Sequence, residues 1–202
     1  AYFKHNLFKE SNLDGANLNG ANLVHSLKLK TASLIGTNLV GSDLSHLDLG
    51  NVNLSLSNLC KANLQKTNLD NALLQGVNFS EVNLIEASLL NANLVEANLD
   101  KADLTKASLE GASLAQARVL STIFLEANLT GSCIESWHID YETKLENVIC
   151  DYVYLRRNKI ERRPSNESEY FKPGDFFTLV RSSVETVDLI FQGGLNWQAF
   201  FD

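Results

Sequence analysis

The chain has 202 residues and a formal net charge of −7, an acidic balance that argues against direct nucleic-acid binding because phosphate recognition needs a cationic face. Apolar residues make up 45% of the sequence, but no apolar run approaches the roughly 18 residues of a membrane-spanning helix, which excludes a transmembrane segment. Three cysteines favour free thiols in a reducing compartment over a disulfide framework, so we expect a cytoplasmic location.

A five-residue repeat dominates the chain from its start. Every fifth residue from Leu29 to Ile139 is apolar, and Ala, Ser, Thr or Val usually stands two residues earlier. The residue between them is usually Asn, Asp or Ser, as in Ala92-Asn93-Leu94. We name these three positions the small, middle and central residues, and the two that follow them the first and second turn residues.

A period of five fits neither a helix nor a continuous strand. On a helix, residues five apart are rotated by roughly 140°, and on a strand they point to opposite faces. The chain must therefore bend once per repeat, with small and central side chains inside and the corner formed where Asn, Asp, Gly and Ser are favoured. Bends with a common inside predict a solenoid. Its core is expected to include Leu64, Leu69, Phe79, Leu94, Ala97 and Leu99.

This pattern resembles the pentapeptide repeat family over about residues 1–155. The resemblance implies an all-β solenoid, a right-handed quadrilateral β-helix in which four repeats form one coil of about 20 residues, giving about seven to eight coils. The stretch from Pro173 to Phe200 is similar to the segment that follows the repeats in a group of cyanobacterial proteins.

Two one-residue slips interrupt the repeat. Leu29 follows Leu23 by six residues, which predicts an extra residue near positions 24–26. A second extra residue is expected near positions 140–142, before Leu145. Trp137 occupies a small position just before this second slip, and its ring is expected to widen or finish the regular coil.

The chain changes character after residue 155. Residues 156–172 are polar and charged without periodicity, which predicts a connector. Residues 173–202 then form a separate segment, with a short α-helix that Asp175 would cap. This segment either caps the last coil or docks to another chain, which would give a homo-oligomer through the chain ends. The candidate contact residues are Phe176, Val180, Val184, Val187, Phe191 and Trp197.

Residues with catalytic or metal-binding chemistry are scattered. The stretch Ser45–Asp48 contains nucleophile, base and acid types, but the repeat puts them on turns and outer positions without a pocket. The four histidines lack partners at metal-ligand spacing. Cys60 and Cys133 are predicted to face outward, and Cys150 inward. The sequence therefore predicts a non-enzymatic protein with no catalytic residue, no metal and no cofactor.

Surface charge separates two hypotheses about function. If residues 20 apart stack, charges of alternating sign lie in columns between coils, where they are favourable neighbours. Some pentapeptide repeat proteins protect DNA gyrase by presenting a rod shaped and charged like duplex DNA, and an acidic excess permits this. Alternating signs instead favour a structural or protein-interaction module with an unidentified protein partner. The alternative is a DNA-mimicking regulator of a topoisomerase such as DNA gyrase. The columns are Lys61, Glu81 and Lys101, and Lys66, Glu86, Lys106 and Glu126.

Overall fold

The computed structural model describes residues 8–26 and 29–182. It contains a short 3-10 helix at Leu29–Thr31, strands β1 (Val153–Arg156) and β2 (Ile160–Arg163), and helix α1 over the described residues 175–182. Between residues 12 and 154 the chain forms parallel β-bridges one residue long, separated by turns. The main body of the protein is therefore a solenoid of short extended stretches.

Successive coils stack through bridges between residues 20 apart. Asn58 bridges Asn78, and Asn78 bridges Asn98. Within each repeat the central N–H donates to the middle carbonyl of the next coil, as from Leu64 to Asn83 at 2.7 Å. Four five-residue repeats thus complete one coil, and the central side chains of each face stack along the axis.

Small and central side chains fill the interior of the coils. Some small residues carry hydroxyl groups that donate to carbonyls: Thr67 Oγ1 bonds Leu44 O at 2.9 Å, and Ser57 Oγ bonds Leu34 O at 2.7 Å. Because these two buried hydroxyls have backbone partners, they replace Ala in the core at little cost. The residues that the sequence assigns to the core are at most 1% exposed, namely Leu64, Leu69, Phe79, Leu94, Ala97 and Leu99.

The second turn residue of most described repeats has a left-handed backbone. The φ angle is 57° at Lys66 and Glu86 and 60° at Lys106, although side chains of this type rarely adopt that conformation. The N–H of each such residue donates to the next coil, as from Lys66 to Ile85 O at 3.0 Å. Hydrogen bonding between coils therefore offsets the local strain and lets charged residues occupy the corners.

Asn and Asp are frequent at the middle position because their side chains close the turn. The N–H of the first turn residue needs an acceptor, and the middle side chain supplies it. Asn63 Oδ1 accepts from Gln65 N at 3.2 Å, and Asn68 Oδ1 accepts from Asp70 N at 2.9 Å. The outward residue thus stabilises the bend that the inward leucine requires.

Where the middle residue is Ser or Arg, an aspartate of the preceding coil can supply the same acceptor. In the repeat whose middle residue is Ser88, Asp70 Oδ1 accepts from Leu90 N at 3.0 Å. In a later repeat Asp100 Oδ1 accepts from Leu120 N at 3.1 Å. These two carboxylates therefore connect neighbouring coils as well as closing a turn.

Two one-residue insertions lengthen the bridge spacing from 20 to 21 residues, as the sequence predicts. The first shift is seen where Asn22 bridges Asp43. Ser26 still keeps its repeat contact, because its N–H bonds Leu23 O at 2.7 Å. The predicted positions 24–26 thus keep the regular phase, and the chain re-enters the five-residue period at Leu29, whose N–H bonds Ser26 O at 2.9 Å.

Asp140 closes the second insertion, after which Ile123 bridges Lys144. Asp140 Oδ1 accepts from Ser121 N at 2.9 Å, Thr143 N at 3.0 Å and Thr143 Oγ1 at 2.8 Å. Partial burial by itself would raise the pKa of Asp140, but these hydrogen bonds together outweigh it and lower the pKa. The bulge is thus held by one ionised carboxylate.

A β-hairpin ends the stack of parallel coils. β1 belongs to the ladder, since Tyr154 bridges Cys133 in parallel. β2 pairs with β1 in the antiparallel direction, with Val153 opposite Arg163. The hairpin is missing from the sequence prediction, which has only a polar connector over residues 156–172. Reversal of the strand direction, followed by Pro164, stops the regular coil.

Candidate interaction surfaces

The residues with catalytic chemistry do not form a site in the described part of the chain. The segment Ser45–Asp48 is a corner, with His46 exposed at a φ of 60°. Asp48 bonds the Lys30 ammonium instead, and that bond lowers the pKa of Asp48. Residues 8–26 and 29–182 also contain no group of His, Cys, Asp and Glu that could hold a metal ion.

The cysteines lie in three different environments and are all free thiols. Cys60 is half-buried on the surface, whereas Cys150 is buried in the core, where burial raises its pKa to about 12. Cys133 was predicted to face outward, but it is only 9% exposed. It packs outside the core in a small cluster with Val95, Ala115 and Tyr154, and burial raises its pKa. Raised pKa values leave Cys133 and Cys150 as thiols that pack rather than react.

Ion pairs connect neighbouring coils along two columns of corners. Lys61 pairs with Glu81 at 3.6 Å. In the other column Lys66 pairs with Glu86 at 3.6 Å, and Lys106 with Glu126 at 3.7 Å. All of these side chains are substantially exposed, so each pair is worth less than about 1 kcal/mol. The pairing interrupts the negative charge along both columns.

Two adjacent sides of the solenoid and the corner between them carry no charged residue over three consecutive coils. We define the uncharged face as the outward residues of the stretches 31–42, 49–60 and 71–80, which contain no Asp, Glu, Lys or Arg. The stretches stack directly, since Gly36 N bonds Ser55 O at 3.0 Å and Leu56 N bonds Gln75 O at 2.9 Å. Sequence reasoning missed this face, although the amino-acid sequence does contain its signal, charge-free stretches that recur about every 20 residues.

The uncharged face also exposes aliphatic side chains. Leu56 is 70% exposed, Leu73 45% and Ile35 37%. Leu56 has a φ of 61°, the left-handed conformation that leucine rarely adopts. Its side chain leans over Gly76, where an added Cβ would approach Leu56 Cδ2 to 2.9 Å. An exposed, backbone-strained leucine contributes little to folding.

Further along the same side of the rod, the chain covers its own surface. Val95, Ala115 and Cys133 are buried under Tyr154. Arg157 extends back over this region, because its Nη2 donates to Gln116 Oε1 at 2.5 Å. The side of the solenoid that bears the uncharged face therefore packs against aromatic and guanidinium groups where they are available.

Helix α1 packs on the last coil at the C-terminal end. Phe176 and Val180 are 5% and 4% exposed and belong to the same buried cluster as the interior leucines. Arg181 donates to Asp140 O at 3.1 Å and to Thr143 O at 2.8 Å, so the far end of the described helix reaches the second bulge. The other predicted contact residues lie outside the described part: Val184, Val187, Phe191 and Trp197.

Trp137 is partly buried against the core near the C-terminal end of the rod. Its ring stacks on Phe124 with 5.6 Å between centroids and 15° between planes. A cavity of about 450 Å³ separates the last coil from α1 and is lined mainly by apolar residues that include Val148, Phe171 and Phe176. That Trp137 widens or finishes the regular coil stays a prediction.

Comparison with known families identifies the repeat. The model of the pentapeptide repeats matches in eight copies over residues 1–26, 37–76, 78–116 and 102–136. The chain belongs to the pentapeptide repeat family. Pentapeptide repeat proteins are generally structural or interaction modules rather than enzymes. The comparison with curated proteins gives no match.

Solved pentapeptide repeat proteins are similar in structure. A trypsin-treated variant of QnrB1, a plasmid-mediated fluoroquinolone resistance protein, is 18% identical with a TM-score of 0.52, covering 74% of this chain and 87% of its own. HetL, involved in heterocyst differentiation regulation in the cyanobacterium Nostoc, is 20% identical with a TM-score of 0.37, covering 75% and 92%. Nostoc alr5209 is 23% identical with a TM-score of 0.42, covering 65% and 98%. The likeness to QnrB1 shows the fold of this pentapeptide repeat protein. Members of this family are known as right-handed β-helices.

Among the residues described for this pentapeptide repeat protein, no helix has the length and apolar character needed to cross a membrane. The sequence already predicts the repeat and the ion-pair columns. Two features of the surface escaped it, the uncharged face and the carboxylate clamp at Asp140. The first could have been found by aligning residues 20 apart, and the second by asking which side chain closes the inserted turn.

Proposed function

We propose that this pentapeptide repeat protein is a non-enzymatic, cytoplasmic interaction module. Its rod would have about seven to eight coils, given a coil of 20 residues. The rod would present flat, chemically distinct faces to a protein partner. Neither a cofactor nor direct nucleic-acid binding is part of this proposal.

The observation that carries this proposal is the filled interior. The central residues from Leu34 to Leu129 are all buried to 1% exposure or less, so the rod holds no internal space for a substrate. Among the described residues, the titratable groups with clearly shifted pKa values are Asp48, Cys133, Asp140 and Cys150, and each has a packing or turn-closing role. Enzymes gather such groups in a cleft, whereas here they are dispersed.

A face-by-face binding experiment tests the module. The purified full chain is immobilised, and partner binding is measured for Leu56→Asn, which alters the uncharged face. A second variant exchanges Lys66 and Glu86, which relocates two charges while keeping their ion pair. We expect one variant to lose a directly binding partner while its melting temperature stays close to that of the wild type. Equal binding by all variants would place the contact elsewhere than on these faces and contradict the proposal.

The alternative function is a DNA-mimicking regulator of a topoisomerase such as DNA gyrase. The ion-pair columns speak against it, because Lys61, Lys66 and Lys106 interrupt the acidic surface. A supercoiling assay with purified gyrase separates the two functions. We expect no change in supercoiling or in quinolone-stabilised cleavage, and a concentration-dependent effect of the purified chain would favour the alternative.

For the C-terminal segment we propose a cap on the last coil, with association through the chain ends as the alternative. The burial of Phe176 and Val180 and the two Arg181 bonds support the cap. Truncation after Pro164 tests it. Under the cap the shortened chain should lose thermal stability and aggregate, since the end of a solenoid exposes unpaired backbone groups. A stable, monomeric truncated chain would support docking to another chain instead.

A further inference from the structure

We infer that helix α1 is a hinged lid on the last coil, held closed by Arg181 and able to open while the rod stays folded. The inference rests on the cap proposed above and adds how that cap is held and how it is released. Opening would expose the end of the rod to another protein, so the contact of Arg181 would control access to that end.

The second insertion leaves a backbone carbonyl without its usual partner. In a regular repeat the N–H of the second turn residue donates to the carbonyl of the first turn residue in the next coil, as from Lys101 to Leu120 O at 2.9 Å. At the insertion Ser121 N donates instead to the carboxylate of Asp140, at 2.9 Å from Oδ1. The side chain thus takes the place of the backbone acceptor, and the carbonyl of Asp140 is free to accept from Arg181 Nη1 at 3.1 Å.

A second carbonyl is free because the parallel coils end. In earlier coils the carbonyl of a small residue accepts from the middle N–H of the next coil, as Ser132 O does from Tyr154 N at 2.9 Å. Thr143 lies in the last coil, and no parallel bridge among the described residues connects it to a following one. Its carbonyl accepts from Arg181 Nη2 at 2.8 Å instead. The planar guanidinium, with its fork of donors, therefore bridges two acceptors that the end of the rod leaves open.

The lid crosses the end of the rod between opposite corners. Phe171 N donates to Asp151 O at 2.8 Å, which fixes the start of the segment two corners after the one at Asp140 in a coil of four. Pro173 and Gly174 follow, and Gly174 has a φ of 92°, a conformation that favours glycine. The hinge therefore lies between a fixed start and the helix.

Few contacts hold the lid beyond its hinge. In the described part of α1, Phe176 and Val180 are the buried side chains. The cavity of about 450 Å³ separates the start of the helix from the last coil, so close packing is incomplete there. Phe177 lies against the guanidinium of Arg181, with 5.3 Å from its ring centroid to Cζ. A segment with few buried contacts opens at a lower free energy than the core does.

Chemical labelling of Cys150 in the full chain tests the inference. Cys150 is 9% exposed and lines the cavity beneath α1, so its thiol reports on opening. In a Cys60→Ser background, which removes the half-buried surface thiol, mass spectrometry follows the reaction with a small thiol reagent. Arg181→Gln should speed the labelling of Cys150 about tenfold, because two hydrogen bonds from a charged donor are lost. Cys133 is the internal control, since its cover is Tyr154 rather than α1.

Urea separates opening of the lid from unfolding of the rod. The labelling rate of Cys150 should be nearly independent of urea at low concentrations, because a hinged lid exposes little surface when it opens. A rate that rises with urea as steeply as global unfolding would show that helix and rod unfold together, which would overturn the lid.

Variants of Asp140 test the exchange of a side chain for a backbone acceptor. Asp140→Ala should also speed the labelling of Cys150, because Ser121 N then takes the carbonyl that Arg181 uses. Asp140→Asn is the matched control, since it keeps an acceptor for Ser121 N and removes only the charge, and its effect should be much smaller. Equal effects of the two variants would contradict this exchange.

The lid and the cap fail in different ways. Suppose that truncation after Pro164 destabilises the rod but Arg181→Gln leaves the labelling of Cys150 unchanged. The cap then stands, and the lid held by Arg181 is wrong. A truncated chain that is stable and monomeric would instead contradict the cap, and the lid with it.

Discussion

The middle of the rod and its C-terminal end are stabilised in opposite ways. From residue 38 to residue 133, the same few backbone and side-chain contacts recur in every coil. From Trp137 onward, contacts that occur only once are added to this repeat: the stack on Phe124, the Asp140 clamp, the antiparallel hairpin and the bonds from Arg181. A recurring contact follows the period of the sequence, whereas a contact made once depends on the single residue that makes it.

The largest expected effect lies in the repeated core. Leu99 is fully buried among neighbouring coils, so Leu99→Ala should destabilise the chain by about 3–5 kcal/mol through lost transfer energy and a cavity. Leu155 packs only partly against the core in the last coil, and Leu155→Ala should cost about 1–2 kcal/mol. Urea unfolding measures both. Equal costs would mean that the end is as well packed as the middle.

The next effect concerns the helix that covers the end. Phe176 is 5% exposed on the last coil, and Phe176→Ala should cost about 2–3 kcal/mol. Hydrogen exchange should show the loss as faster exchange of amides from residue 143 to residue 155, with little change near Leu64. The exposed Thr178 provides the control, because Thr178→Ala on the same helix removes a hydroxyl that bonds Gly174 O within the helix and should leave both rates nearly unchanged. Uniform acceleration along the rod would show that end and middle unfold as one unit.

Low pH should destabilise the C-terminal end of the rod through protonation of Asp140. Its pKa is lowered in the folded chain, so its stabilising contribution is present above the unfolded value of about 3.9 and disappears as the pH falls through the folded value. Asp140→Asn should cost about 1 kcal/mol at pH 7 and less at pH 3, because the contribution declines as the pH falls below the unfolded value. Denaturant titrations at both pH values give the difference. Asp151→Asn, which removes an exposed carboxylate of the same region, controls for the loss of charge alone. A cost for Asp140→Asn that stays constant with pH would argue against the clamp.

A smaller effect is expected for the carboxylate that joins two coils in the middle of the rod. Asp70 accepts from Leu90 N at 3.0 Å and from Ser88 Oγ at 2.6 Å. Asp70→Ala should cost about 1 kcal/mol because it leaves a turn amide without its acceptor. Ser80→Ala changes the equivalent position on the opposite face and should be near neutral. If the two variants melt at the same temperature, the amide of Leu90 has found another acceptor.

The smallest effect belongs to the exposed ion pairs. A double-mutant cycle on Lys66 and Glu86, whose side chains are 45% and 46% exposed, should give a coupling of a few tenths of a kcal/mol. The coupling should fall when the salt concentration is raised. A coupling above about 1 kcal/mol that does not fall with salt would show that these ion pairs determine the register between neighbouring coils.

Sequence reasoning reached the middle of the rod because its information is periodic. Leucine every fifth residue is enough to predict the bend and the inside, and the four-repeat coil that the family resemblance implies adds the stacking of Lys66 near Glu86. It could not predict that Lys and Glu adopt a left-handed backbone, because that depends on hydrogen bonds to the next coil. The burial of Cys133 was missed for a related reason, since its cover, Tyr154, comes from a later coil. Contacts that occur once, such as the hydrogen bonds from Arg181, have no periodic pattern in the sequence from which they could be predicted.

Because four repeats form one coil, the direction in which a surface faces around the rod axis depends on the number of repeats before it. Deleting one repeat, for example residues 102–106, would keep every later leucine inside but turn all later faces by about a quarter of a revolution. The uncharged face lies before residue 96, and the hairpin and helix come after residue 137. The number of repeats between these two surfaces therefore sets the angle between them. Gain or loss of whole repeats would reorient one attachment point relative to the other without altering a residue of either.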